Sequence, residues 1–156
     1  MIKLGWDNTV GAGRLQVDPV TGALAVDRSL VSVVALCLFT NVEATAEEIA
    51  TAGLDQQEGW WAEADSLREQ GRPRMGSKLW LLKREKTIAA TLRRGEGYVR
   101  DALRWLIDQK IAADIGVRMT LLRPGGVVGL EVTITRPQKI LPPFKHLWEF
   151  QTDAVL

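Results

Sequence analysis

Ile115-Gly116-Val117-Arg118-Met119-Thr120-Leu121 and, after Pro124-Gly125-Gly126, Val128-Gly129-Leu130-Glu131-Val132-Thr133-Ile134 form the stretch that decides the fold. Large apolar residues take every second place in both runs, with Gly, Arg, Thr and Glu between them. That is the period of a strand with one face buried. Two such runs joined by a Pro-Gly-Gly turn make an antiparallel hairpin. The chain beyond it, from Leu141-Pro142-Pro143 to His146-Leu147-Trp148-Glu149-Phe150, is interrupted by prolines that cannot donate to a sheet ladder. It reads as a C-terminal tail, residues 137–156, packed by its aromatics or held by a partner.

Upstream of the hairpin the period changes to that of a helix. Val99, Ala102, Leu103, Leu106 and Ile107 share one face of a long helix running from a Thr87 cap to about Ile111, with Arg100, Asp101, Arg104 and Asp108 outside. Gly95 and Gly97 weaken its first half by about 1 kcal/mol each relative to Ala. A second helix, capped by Asp27 or Ser29, places Leu30, Val33, Val34, Cys37 and Leu38 at helical spacing and should be largely buried. Ser77-Lys78-Leu79-Trp80-Leu81-Leu82 opens like a capped helix.

At the other end, Leu15-Gln16-Val17 and Ala23-Leu24-Ala25-Val26 flank Asp18-Pro19-Val20-Thr21-Gly22, where proline presets a turn, and this predicts a β-hairpin. Residues 1–13 form an N-terminal arm or short edge strand. The expected architecture is α+β: one small domain over 1–156, with an N-terminal β-hairpin, central helices, a polar insertion loop at 41–75 and the C-terminal antiparallel hairpin.

Composition excludes several classes. The chain has 46% hydrophobic and 25% charged residues, ordinary for a globular protein, and a net charge of +1, which argues against a generally basic nucleic-acid binder. Its longest apolar run, residues 30–39, falls short of the roughly 20 residues needed to cross a bilayer. Cys37 is the one cysteine and His146 the one histidine, so there is no disulfide, no zinc set and no Ser-His-Asp or Cys-His site of ordinary spacing. No glycine-rich loop has a nucleotide-binding pattern. No cofactor or metal is expected.

The middle is electrically polarised. Glu43, Glu47, Glu48, Asp55, Glu58, Glu63 and Asp65 precede Arg68, Arg72, Arg74, Lys78, Lys83, Arg84 and Lys86. Two of the acids, Glu58 or Glu63 with Asp65, form the competing reading of a cell-wall hydrolase, which needs paired carboxyl groups. A solvated acidic loop is the simpler account. A nucleic-acid module using Arg72, Arg74 and Lys78 is the third reading, and Leu79 to Leu82 speak against it as core residues. Trp60 and Trp61 serve as interface anchors or as a plug beneath the loop.

The order Asp18-Pro-Val-Thr-Gly-Ala-Leu, an apolar helix ending Leu38-Phe39-Thr40, Gly59-Trp60-Trp61, Gly76-Ser77-Lys78-Leu79-Trp80-Leu81-Leu82 and Val132-Thr-Ile-Thr-Arg-Pro resembles the phage Mu baseplate family, related to the tail-lysozyme-like wedge proteins of contractile tails. The resemblance implies a non-enzymatic virion subunit, assembled in the host cytoplasm and present in several copies in a symmetric tail baseplate. It implies wedge and sheath proteins as partners, with no nucleic acid or membrane. It also implies a wedge or sheath-handshake-like fold that nucleates sheath by accepting an added strand, for which the 115–135 hairpin is the natural acceptor. On that basis the expected partner-binding residues are Val128, Leu130, Val132 and Ile134 on the hairpin, Trp148 in the tail, and Arg72, Pro73 and Arg74, an echo of the wedge family's Glu-Pro-Arg signature without its Glu.

Overall fold

The computed structural model describes residues 2–25, 30–59, 75–83, 89–123, 127–137 and 144–151. Expectations that rest on Asp27, Ser29, Trp60, Trp61, Glu63, Asp65, Arg72, Pro73, Arg74, Thr87 and the turn at 124–126 lie outside those residues.

Alternation does make the predicted hairpin. Strand β3 (Asp114–Arg123) pairs antiparallel with β4 (Val127–Thr135), matching Val117 with Val132 and Met119 with Leu130, with a register shift between Leu121 and Arg123. The tail reading is corrected, because β5 (Phe144–Gln151) pairs antiparallel along the other side of β4, with Trp148 opposite Leu130 and His146 opposite Val132. Regular pairing begins at Phe144, just past Pro142 and Pro143, so the prolines precede the strand and cost it no ladder donor. The sheet order is β3-β4-β5, and β4 is its central strand.

Helices cover one face of that sheet. α1 (Val31–Phe39) and α3 (Ala89–Asp108) pack with β3, β4 and β5 around a core that includes Val34, Leu38, Leu103, Leu106, Leu130, Ile134 and Trp148. Burying side chains of this size stabilises the fold by about 1.5 to 3 kcal/mol each. Gly95 lets α3 approach β3 closely, since a Cβ there would stand 2.5 Å from Met119 Sδ and 2.9 Å from Leu82 Cδ1. Burial also raises the Cys37 thiol pKa, an effect opposed by a hydrogen bond with Trp105, so the cysteine behaves as a core hydrophobe.

Three local readings change. α1 begins at Val31 with Leu30 as N-cap and no side-chain cap. Leu79–Leu82 is a single 3-10 turn, held by Ser77, whose Oγ accepts from Leu79 N–H at 3.2 Å. The segment assigned to a polar loop contains α2 (Ala46–Thr51), capped reciprocally by Thr45 and Glu48. That capping box, Thr-x-x-Glu, is written in the sequence. Gly76 packs so tightly that a Cβ would stand 2.8 Å from Thr40 O, and the bonds between residues 40–42 and Ser77 depend on that approach.

The N-terminal pairing is also displaced from its expected place. Regular strands are β1 (Leu4–Asp7) and β2 (Ala12–Leu15), paired Trp6 to Gly13, whereas the arms flanking the Asp18–Gly22 turn are joined by a bridge, Val17 to Leu24, and by main-chain bonds from Asp18 N–H to Ala23 O and from Ala25 N–H to Gln16 O.

Candidate docking surfaces

The three-stranded sheet has two borders, and each is guarded by side chains at one place. In β3 the main-chain groups of Val117 and Met119 point away from β4. Glu96 Oε1 accepts from Met119 N–H at 3.1 Å, and Arg100 Nη2 donates to Val117 O at 3.2 Å. Glu96 and Arg100 also pair with each other at 3.3 Å, one helical turn apart on α3. They form a clasp over the middle of the border. On β5 the outward groups of Glu149 are taken by the N-terminal arm: Trp6 Nε1–H donates to Glu149 O at 3.1 Å, and Glu149 N–H donates to Asn8 Oδ1 at 3.2 Å.

This placement alters the meaning of the predicted site residues. Val128, Leu130, Val132 and Ile134 are buried on the core face of the central strand, and Trp148 is 0% exposed. Their outer border, expected to be open, is closed by β5. Among the described strands the hairpin therefore offers β3 as its edge. Trp148 lies with Phe39 in an edge-on contact, ring centroids 6.5 Å apart, and His146 sits 4.4 Å from it, where burial lowers the imidazole pKa. Sequence alone did not place β5 because the prolines drew attention from its own alternation: Phe144, His146, Trp148 and Phe150 occupy every second position.

The polarised middle closes on itself. Lys78 Nζ meets Glu48 Oε1 at 2.7 Å, and Lys83 Nζ meets Glu58 Oε2 at 3.1 Å. Glu48 is held below its ordinary pKa by its Lys78 bond and by Thr45 N–H. Glu58 also accepts from Asn41 Nδ2. Charges committed in this way shape the surface around α2, and the described acids do not gather at a cleft as a proton donor and acceptor would. No group of three or more His, Cys, Asp or Glu among the described residues could hold a metal ion, and no described helix is long and apolar enough to cross a membrane.

A cleft of about 350 Å³ lies between β2, the end of α1 and the 3-10 turn, reached by Trp6, Gly13, Phe39, Asn41, Trp80 and Lys83. Trp6 stacks on Phe39 with centroids 3.9 Å apart, and Trp80 donates its Nε1–H to Val42 O at 2.9 Å.

The family model described as "Phage protein GP46" matches residues 30–140. The "Baseplate protein gp46" of Escherichia phage Mu is 36% identical over 140 residues, covering 90% of each chain. The "Mu-like prophage FluMu protein gp46" of Haemophilus influenzae is 32% identical over 116 residues, 74% of this chain and 73% of its own. These relatives define a structural protein of the phage tail baseplate, not an enzyme. The chain belongs to the phage GP46 protein family, of the Mu type.

Proposed function

We propose that this baseplate subunit joins wedge proteins to the first ring of sheath in a contractile tail and nucleates the sheath by accepting a strand along β3. The reading takes its support from the Mu relative's name and, above all, from one observation. The β3 border is satisfied at Val117 and Met119 by two side chains of α3 and, among the described residues, by no strand. Side chains can be exchanged for an incoming main chain without loss of hydrogen bonds, and strand addition draws its affinity from that pairing. Arg72 and Arg74, with Pro73 between them, are proposed to meet the wedge proteins, with several copies arranged around the symmetric baseplate. The quartet Val128, Leu130, Val132 and Ile134, with Trp148, acts from behind by holding the sheet flat against α3.

Val117→Pro tests the border directly. Its N–H points outward, so proline removes a docking donor while leaving every bond to β4 in place. The expected result is a folded protein that enters baseplates but yields tails with little sheath. Normally sheathed tails would overturn the proposal.

A further inference from the structure

We infer that the cleft beneath β1 and β2 is a second docking site, which takes one extended segment of another polypeptide bearing a large apolar side chain. It is separate from β3, and its occupant would be held whether or not β3 receives a strand.

The hollow has a local cause. Trp6 and Gly13 stand opposite each other, so their side-chain positions share a face. Trp6 fills its half by stacking on Phe39. Gly13 leaves the other half empty, since a Cβ built on it meets nothing within 4 Å. Every residue of β2 is exposed. Gln16 N–H donates to Lys3 O at 3.0 Å, which fixes the alternation of the pair and turns the main-chain N–H and C=O of Gly13 and Leu15 away from β1. Among the described residues these groups have no hydrogen-bond partner. Unlike the β3 and β5 borders, this one has no side-chain guard among the described residues.

Those features select the occupant. Outward donors and acceptors two residues apart match the repeat of an extended main chain, and the aromatic floor accepts a side chain from it. A phosphate-bearing ligand is disfavoured, because the cation at the cleft among the described residues, Lys83, already holds both carboxylate oxygens of Glu58 at 3.1 and 3.2 Å.

The test uses the intact protein and purified tails carrying it. Gly13→Cys places a thiol in the cleft, and Cys37 is buried, so iodoacetamide reads the new thiol. Labelling should slow about tenfold in assembled tails relative to the purified subunit, as occupancy at ten times a dissociation constant gives. Val20→Cys, on a turn residue 91% exposed, should label equally in both. A benzophenone maleimide attached at Gly13→Cys should cross-link, in tails, to an apolar residue of another virion chain. Equal labelling rates in the two states would overturn the inference, as would cross-links confined to the chain itself or made to nucleic acid. Gly13→Leu, which fills the hollow without a backbone clash, should leave the melting temperature in place and reduce incorporation into tails; wild-type incorporation would also overturn it. Val117→Pro should not alter Gly13→Cys protection, which separates this site from the β3 reading.

Discussion

The two β-units of this protein are stabilised in opposite ways. The C-terminal sheet has a central strand whose apolar face is sealed, with Leu130, Val132 and Ile134 all at 0% exposure. The N-terminal pair has a fully exposed strand, β2, and touches the rest of the molecule through a few threads: Leu4 N–H to Ser32 Oγ at 2.9 Å, the Trp6–Phe39 stack, and the two bonds to Glu149. The first unit owes its existence to burial, and the second to being fastened to it. Two-stranded ribbons are marginal alone, which explains why the N-terminal pair leans on β5 and α1.

The contrast can be broken most severely from the centre. Val132→Pro removes a ladder donor toward β5 and a buried side chain, and should cost about 4 kcal/mol or more, abolishing the cooperative melt and releasing both units together. If the melt survived, β4 would not be the keystone described. Trp6→Ala should act on one side only. It loses the stack and one hydrogen bond, about 1 to 2 kcal/mol in all. Hydrogen exchange should then show the amides of Lys3, Gly11 and Gln16 losing protection while those of β4 keep theirs. Equal losses in both units would merge them into one cooperative body. The smallest change is Glu96→Ala, expected to lower stability by about 0.5 to 1.5 kcal/mol. Its signature is faster exchange at Met119 with little effect at Arg118, whose main chain faces β4. An unchanged Met119 rate would mean the clasp does not guard the border in solution.

How much of this was legible in the sequence follows from the same contrast. β3, β4 and α3 were readable because one-sided burial imposes a period, two for the strands and near 3.6 for the helix. The regular N-terminal pair lies elsewhere than expected: β2, Ala-Gly-Arg-Leu, buries nothing and so has no pattern, while the hairpin advertised by the Asp18–Gly22 turn forms as a bridge and two main-chain bonds across its arms. The choice of partner for β4 was not local information at all. A strand's own residues do not say whether its far side is open, and here the answer lay in Leu147-Trp148-Glu149 behind two prolines. The residues expected to dock on β4 turn inward, where Val128, Leu130, Val132 and Ile134 are buried, and the edge groups proposed for docking, on Val117 and Met119, are main-chain atoms that no residue type announces. The Gly13 hollow was equally silent, since its meaning depends on Trp6 standing across from it.

Strand β5 carries a consequence for how the molecule is made. During synthesis from the N-terminus, β4 emerges before its partner on the second side, because β5 comprises residues 144–151. The N-terminal arm can meet Ser32 and Phe39 early, but its bonds to Glu149, 143 positions downstream of Trp6, form only after β5 has followed. A nascent chain halted or truncated before that point would leave the main-chain groups of β4 that pair with β5 without that partner, and an unpaired strand border is a template for pairing with another chain.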